Sequence, residues 1–315
     1  MPSVTLLDLM KLKSGSDGAL HLVQAVGLAA PEVLALPSKT ITGTSYDVTL
    51  VKSYPTVSFR KANQGMSASR GEFETRKAEC FILDARIEVD KAVARKHDKG
   101  PDALMALYSM ITGKSSILSM GNQTIYGTAL DGSGFPGLQE MVLDAMTVDA
   151  TGSTANAGSS VYFVFGDEDF GVSYVYGNDS SFELQPFVDG EGEDAAGKKF
   201  PAHIGYLNCA PGLSNASPFA VGVIKNLTAQ AGKGLTDSLG YQLLEKFPTD
   251  VKPTHVLMNR AARGQLQRSR TVTLMGNGKK GDVGGAEGTI APLPDFLCGI
   301  PIVCTDSITS LEAIR

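Results

Sequence analysis

Polar and apolar residues alternate along two limbs of a segment that runs from residue 45 to residue 91. The second limb has an apolar face formed by Phe81, Leu83, Ala85, Ile87 and Val89. Charged residues lie between them, Ile82 interrupts the pattern, and residues 46–51 alternate in the same way, which is typical of strands with one solvated face. Residues 60–72, between the limbs, are polar and suit the tip of a long loop. We therefore expect the two limbs to pair as an antiparallel ribbon.

The length of this ribbon suggests that it projects from the molecule. With about 15 residues per limb at ~3.3 Å each it would span ~50 Å. A compact chain of this size has a radius of gyration of only about 20 Å. A two-stranded ribbon is marginal in water unless its apolar face is covered. Its own domain or another copy could cover it, and we favour another copy.

The N-terminal segment predicts an arm without a core of its own. Residues 4–12 and 19–26 are short apolar stretches, each long enough for two or three helical turns and too short to be stable alone. Two prolines follow, and the chain is expected to be extended over residues 38–44. We therefore expect that residues 1–44 can be removed without unfolding the subunit.

A helix over residues 101–118 is the clearest element of the chain. Pro101 suits the first helical position, and Asp102 adds an acidic residue to the first turn. An apolar stripe at helical spacing predicts that the helix faces the core. The stripe contains Leu104, Met105, Leu107, Tyr108, Met110, Ile111 and Leu118. Residues 121–137 are rich in turn formers, a short helix is predicted at 138–146, and a surface loop follows at 149–160.

Beyond residue 160 the pattern becomes mainly that of strands. Aromatic and β-branched runs at 161–165 and 172–176 predict neighbouring strands. The acidic stretch 189–194 predicts a solvated loop, since it lacks calcium-loop spacing. Further strands are predicted at 219–227, 254–258, 271–275 and 296–305, and helices at 235–247 and 260–268.

Composition limits the class of function. The chain has 315 residues, 43% hydrophobic and 19% charged, which is ordinary for a globular protein. A formal charge of −5 gives no broad basic surface for reading nucleic acid. Cys80, Cys209, Cys298 and Cys304 form no CxxC pair, so we expect reduced, buried thiols. No secretory signal or membrane-spanning run is visible, which favours a cytosolic chain.

Motifs that could carry chemistry lack the context they need. Residues 276–281 match GxGxxG, but the glycines and prolines of 282–294 exclude the helix that this motif requires. Residues 112–115 imitate the end of a phosphate-binding loop and are expected to end the helix that precedes them. His21, His97, His203 and His255 are scattered without metal-ligand spacing. We therefore predict no catalytic residue, cofactor or metal.

An ordered set of segments resembles the major capsid proteins of tailed bacteriophages, which have the Johnson fold. Residues 254–266 read THVLMNRAARGQL, and after a Gly-rich loop residues 296–308 read FLCGIPIVCTDSI. The upstream order of arm, extended loop and spine-like helix agrees. Tyr126-Gly127 followed by Phe135-Pro136-Gly137-Leu138 is similar to a segment of these coats.

This resemblance implies an α+β protein of the Johnson type. Its parts would be an N-terminal arm (1–45), an extended loop (46–90), a peripheral-type domain (91–235, with spine helix 101–118) and an axial-type domain (236–315). The subunit would form hexamers and pentamers of an icosahedral head around double-stranded DNA, which it would contact without sequence specificity. Assembly would occur in the bacterial cytoplasm, with a scaffold, portal or decoration protein as further partners and no membrane.

Two other functions remain open at the level of sequence. An encapsulin-like compartment shell shares this fold, and a nucleotide-dependent enzyme would bind its ligand at residues 276–281. For the capsid function the expected assembly contacts are charged residues of the loop. They are Arg60, Lys61, Arg70, Glu72, Glu74, Arg76 and Lys77. Lys61 and Asn63 are residue types that some relatives cross-link, but no motif here establishes that reaction.

Overall fold

A computed structural model describes residues 30–96, 100–177, 183–193, 197–275 and 292–315. In these ranges the helices are α1 (Pro31–Ala35), α2 (Lys91–Ala94), α3 (Pro101–Tyr126), α4 (Leu138–Met141), α5 (Asp237–Leu244) and α6 (Arg260–Met275). The strands are β1 (Ser38–Ile41), β2 (Ser45–Ser53), β3 (Glu72–Glu79), β4 (Leu83–Asp90), β5 (Thr147–Asp149), β6 (Ser159–Val164), β7 (Val172–Gly177), β8 (Glu183–Leu184), β9 (Val188–Glu193), β10 (Lys199–Cys209), β11 (Pro211–Asn215), β12 (Val221–Leu227), β13 (His255–Met258), β14 (Phe296–Leu297) and β15 (Ile300–Cys304).

The core is a six-stranded mixed sheet in the order β14-β15-β13-β6-β12-β5. All six residues of β6 are buried, because both faces of the sheet are covered. Val161 and Phe163 pack in one apolar cluster with residues of α5 and α6. Tyr162 packs in a second cluster with residues of α3 and α4. The alternation along this strand therefore divides its side chains between two cores.

Smaller sheets surround this core. Strand β7 lies between β1, with which it pairs in parallel, and β11, with which it pairs antiparallel. Strand β10 pairs with β4 on one side and with β8 and β9 on the other. Strands β2 and β3 form a separate two-stranded hairpin. The root of the hairpin lies beside β11, which contacts β3.

The predicted ribbon has a different pairing. Residues 45–53 pair with β3, so that Asp47 lies opposite Lys77, and not with the second predicted limb. That limb forms β4 and pairs with β10, with Leu83 opposite Cys209. The buried Ile87 packs with residues of α2 and α3, and a free ribbon could not supply this burial. The expected strand at 81–90 exists, but the prediction of its partner was wrong.

Helix α3 is longer than predicted, and the helical face assigned to the core was wrong in part. It continues to Tyr126, so residues 112–115 lie in its interior and not at its end. Leu107, Tyr108, Met110 and Ile111 are 44–57% exposed. Its buried residues are instead Leu104, Ser109, Ser116, Met120, Gly121, Gln123, Thr124 and Ile125. Periodicity located an apolar stripe, but the described residues of the subunit do not cover its middle.

Several local predictions also differ from the structure. Strands β6 and β7 exist but belong to different sheets. The acidic stretch predicted as a loop forms β9, because β10 offers an edge with which it can pair. The predicted strand 271–275 continues helix α6, because local propensity is a weak preference that an established helix overrides. The predicted helix at 138–146 is divided into α4 and a short 3-10 turn at Asp144–Met146.

The described part of the N-terminal segment packs into the subunit. Ala30 is 0% exposed, Leu36 3% and Ile41 8%. Helix α1 contacts α3 and β15, and β1 completes a sheet. The expectation that the N-terminal segment is an arm without a core of its own was therefore wrong for residues 30–44. The predicted helices at 4–12 and 19–26, His21, His97 and residues 276–281 lie outside the described residues.

Candidate assembly surfaces

The hairpin is anchored firmly at its root. Lys39 Nζ lies 2.9 Å from Asp169 Oδ1 and 4.9 Å from the centre of the Tyr46 ring. The backbone amide of Cys80 donates a 2.9 Å hydrogen bond to the carbonyl oxygen of Thr44. The ion pair lies on β1, the cation–π contact joins β1 to the first strand of the hairpin, and the backbone bond joins the residues that flank the hairpin. These contacts attach the base of the hairpin to the body.

A small apolar cluster completes this root. Ile41, Ala78 and Val175 are buried together, with Tyr46 and Cys80 packed against them. Burial raises the pKa of the Cys80 thiol. At Gly212, an added Cβ would lie 2.4 Å from the carbonyl oxygen of Glu79, so glycine is required where β11 passes the hairpin. The root is thus a close-packed joint.

Residues 54–71 extend the hairpin as a long loop. The Thr56 amide donates a 2.8 Å hydrogen bond to Ser69 Oγ, which ties the two limbs together. At the tip, the Gln64 amide donates to the carbonyl oxygen of Lys61 at 3.3 Å, and Asn63 has a positive φ of 64°. Every residue from 53 to 70 is exposed, so the rest of the described chain does not cover the loop.

Large apolar side chains are exposed on the loop of residues 54–71, which we call the hairpin arm, and on the adjoining strand β3. They are Tyr54 (83% exposed), Val57 (85%), Phe59 (108%), Met66 (62%) and Phe73 (71%). Several large apolar side chains exposed on one projecting segment indicate an interaction site in a soluble protein. Sequence reasoning singled out the charges of the loop and missed these residues, although their position between polar neighbours was visible.

The seven predicted charged contacts lie in two groups. Arg60, Lys61 and Arg70 are on the exposed loop, and residues 54–71 contain no acidic residue, so the tip is basic. Glu72, Glu74, Arg76 and Lys77 are on β3, where Arg76 pairs with Glu74 at 3.3 Å. Lys77 pairs with Glu79 at 3.1 Å, so the second group forms ion pairs along β3 and is only partly brought together, whereas the three basic residues of the first group have no acidic residue beside them in the loop sequence.

A second apolar surface lies on the outer face of α3. It consists of Leu107, Tyr108, Met110 and Ile111. Val93 of the neighbouring α2 is also exposed, at 58%. The sequence contained the signal for this surface but gave no means to tell a stripe covered by the same chain from one left for a partner.

A groove lies where the hairpin joins β4. Its volume is about 270 Å³. It is lined by Phe81, Ile82, Leu83, Ser119, Met120, Asn122, Gln123, Leu130, Asp131, Ser133, Gly134, Phe135 and Pro211. Gln123 Nε2 donates to the carbonyl oxygens of Asp131 at 3.1 Å and Phe135 at 2.8 Å, which holds the outer wall against α3. Ile82, which interrupts the strand alternation, was the sequence signal for this site.

No group of three or more His, Cys, Asp or Glu residues in the described ranges could hold a metal ion. Asp189 accepts from Lys91 and lies 2.8 Å from His203, and the Lys91 ammonium lowers the pKa of this exposed carboxylate. Burial raises the pKa of Cys209 to about 12 and of Cys298 to about 11, so neither is an activated thiol.

No helix of the described chain is both long and apolar enough to cross a membrane.

Comparison with solved structures defines the class of protein. A chain of the bacteriophage Epsilon15 structure aligns with a TM-score of 0.60 and 16% identity over 88% of this chain and 87% of that one. The bacteriophage JBD30 procapsid gives 0.44 and 12% identity over 98% and 99%. The SrpI encapsulin complex from Synechococcus elongatus PCC 7942 gives 0.46 and 10% over 64% and 89%. The fold is the α+β Johnson fold of phage capsid proteins.

The family follows from the sequence match. The family model for major capsid protein GP7 matches residues 38–314, and this chain belongs to that family. It is therefore a structural protein of a viral capsid. Among curated proteins, no match was found.

Proposed function

We propose that this chain assembles into the hexameric and pentameric capsomers of an icosahedral bacteriophage head that encloses double-stranded DNA. The observation that carries the proposal is the arm of residues 54–71, which exposes Tyr54, Val57, Phe59 and Met66 beyond a hairpin root that is packed against the body. A subunit that functioned alone would leave this apolar surface in water. Contact with neighbouring copies removes it from water.

The magnitudes favour apolar contacts over charged ones. Burying one large apolar side chain contributes about 1.5–3 kcal/mol. An exposed ion pair contributes about 0–1 kcal/mol and is weakened by salt. Because four large apolar side chains of the arm and Phe73 of β3 are exposed, they supply most of the attraction between subunits. Arg60, Lys61 and Arg70 then set the orientation of the contact.

The position of the arm also favours rings. The exposed tip and the body are different surfaces of the same subunit, so a contact in which each copy gives its tip to the next copy around is heterologous. Heterologous contacts produce closed rings when the rotation between neighbours closes. Hexamers and pentamers are rings of this kind, and the second apolar surface on α3 offers a further contact between copies.

The remaining parts of the proposal follow the family. Residues 1–45 form the arm at the N-terminus, 46–90 the extended loop, 91–235 the peripheral-type domain and 236–315 the axial-type domain. The acidic charge of −5 suits a shell that encloses DNA without reading its sequence. Assembly takes place in the bacterial cytoplasm, where a scaffold, portal or decoration protein joins the shell.

Electron microscopy and sedimentation of the expressed full chain test this function. Wild-type protein should form closed shells. Replacement of residues 54–71 by a Gly/Ser linker of equal length should leave the circular dichroism spectrum unchanged and abolish large particles. The same treatment of the exposed turn 153–156 is the control. Shells formed without the arm would contradict the proposal, and shells loaded with protein in place of DNA would favour a compartment.

A further inference from the structure

The groove at the hairpin root is shaped for a side chain. Small-molecule sites usually have volumes of about 300–1,000 Å³, and this groove has about 270 Å³. Its wall is mainly apolar, and Ile82 and Leu130 at its rim are 78% and 57% exposed. An apolar side chain is therefore a better occupant than a cofactor.

Charge narrows the choice of occupant. Asp131 is the one charged residue among those that line the groove. Its Oδ1 accepts a 2.9 Å hydrogen bond from the Ser133 amide, and no cation of the described ranges forms an ion pair with it. The occupant should therefore combine an apolar side chain with a neighbouring positive charge.

The arm tip has this combination. Phe59 is fully exposed and is followed directly by Arg60 and Lys61. The Arg60 guanidinium donates one 3.1 Å hydrogen bond to the carbonyl oxygen of Gln64, and its other N–H groups can bind a carboxylate. Phe59 and Arg60 thus match the groove in size, polarity and charge.

The tip and groove of one subunit are too far apart to meet. Phe81 to Leu83, which line the groove, follow directly after the root of the hairpin. Strand β2 alone carries the arm about 30 Å away from that root at ~3.3 Å per residue, and the loop extends beyond it. The occupant must come from another copy.

We propose that Phe59 of a second copy inserts between Ile82 and Leu130, with the Arg60 of that copy paired with Asp131. This inference rests on the proposed assembly function and names the receptor for the arm. When each subunit receives the tip of one neighbour and gives its own tip to another, the contact is heterologous and can close into a ring. The receptor lies at the root of the next arm, so each docked tip also braces its neighbour's hairpin.

One single and one double variant test the two sides of the contact. Phe59→Ser and the pair Ile82→Ser with Leu130→Ser should each raise the subunit concentration at half-assembly by at least about tenfold, because an aromatic side chain loses its burial. Since Ile82 and Leu130 are exposed in the subunit, its melting temperature should stay unchanged. Val188→Ser, an equally exposed aliphatic site at 66%, is the matched control and should assemble normally.

A mixing experiment tests direction. Phe59→Ser subunits keep an intact groove, and the Ile82→Ser, Leu130→Ser subunits keep an intact tip. A mixture can form one contact per pair and should stop at two-subunit complexes, seen by native mass spectrometry. Arg60→Asp and Asp131→Arg should each weaken assembly about two- to fivefold, and their combination should restore it.

The outcomes separate this inference from the proposed function. If the groove variants assemble like wild type while the Gly/Ser arm does not, the tip docks elsewhere and this inference is overturned. If Leu107→Ser with Ile111→Ser weakens assembly in their place, the outer face of α3 is the receptor. If wild-type protein forms no particles, the proposed function itself fails.

Discussion

The hydroxyl of Tyr126 donates a 2.8 Å hydrogen bond to Oε1 of Glu312, a carboxylate that is 6% exposed. The Ser160 hydroxyl donates to the other carboxylate oxygen, and the Thr309 amide donates to the Tyr126 oxygen at 2.8 Å. The backbones of Glu312 and Gly158 also bridge. One buried carboxylate therefore joins the end of α3, the central strand β6 and the C-terminal segment.

Removal of this bond should destabilise the subunit. Tyr126→Phe leaves a buried carboxylate with one donor fewer, and a hydrogen bond to a charged group contributes about 1.5–3 kcal/mol. We expect the free energy of unfolding in urea to fall by that amount. Tyr206→Phe, at a tyrosine that is 46% exposed, is the control and should change it by less than about 0.5 kcal/mol. Equal losses in both variants would show that the Tyr126 bond contributes nothing specific.

Alkaline pH should destabilise the fold through its buried tyrosines. Burial raises the pKa of Tyr126, Tyr162, Tyr174 and Tyr176 above the ordinary value. Their contribution is complete below about pH 10, where the unfolded chain also keeps its protons, and is lost as pH rises, because the unfolded chain then ionises first. Each tyrosine should lower the free energy of unfolding by about 1.4 kcal/mol per pH unit in that range.

Tyr176→Phe gives the matched comparison. Above pH ~10 the free energy of unfolding of this variant should fall with pH less steeply than that of the wild type, by about 1.4 kcal/mol per pH unit. Below about pH 9 the two curves should run parallel. Urea titrations at a series of pH values measure both, and identical slopes at high pH would contradict the role of burial.

Two glycines of α3 should respond in opposite ways to alanine. At Gly121 an added Cβ would lie 2.3 Å from Glu32 Oε1 and 2.9 Å from Ala30 Cβ, whereas at Gly113 nothing lies within 4 Å. Gly121→Ala should cost about 1–3 kcal/mol by overpacking. Gly113→Ala should stabilise by about 0.5–1 kcal/mol through helix propensity. Denaturant midpoints measure both, and a neutral Gly121→Ala would mean that α1 is not seated on α3.

Truncation of the N-terminal segment should show which of its residues belong to the core. Deletion of residues 1–44 removes the buried Leu36 and Ile41. Loss of each buried aliphatic side chain costs about 2–5 kcal/mol, a large part of the ~5–15 kcal/mol of a typical domain. Thermal unfolding followed by circular dichroism should show severe destabilisation. Deletion of residues 1–29, which keeps both side chains, is the control, and equal stability of the two truncations would remove residues 30–44 from the core.

Charge reversal at the tip should weaken assembly without changing the stability of the subunit. Arg60→Glu with Lys61→Glu alters exposed residues, so the melting temperature should hardly change. The population should shift from shells to free capsomers, because a closed shell repeats each weakened contact many times. Salt at ~1 M, which shortens the screening length to ~3 Å, should weaken wild-type assembly too. Light scattering across a salt series measures this, and equal assembly at low salt would remove these charges from the contact.

The sequence by itself determined the elements with a clear period. The alternation of residues 83–90 forms β4 as expected, and Leu243 and Phe247 of the predicted helix at 235–247 are buried around α5. Their order along the chain led to the capsid family, which the match over residues 38–314 confirms. These features are local, because the spacing of apolar residues selects strand or helix before any partner is present.

Only the tertiary structure decided which surfaces meet. Periodicity showed that Leu107 and Ile111 share a face of α3 but not that this face stays exposed. It showed a strand at residues 46–51 but not that Glu72–Glu79 is its partner. Pairing and burial depend on residues far apart in sequence, which compete for the same apolar faces and strand edges. That competition is settled by the packing of the whole subunit, and so the exposed arm and the groove became visible only in three dimensions.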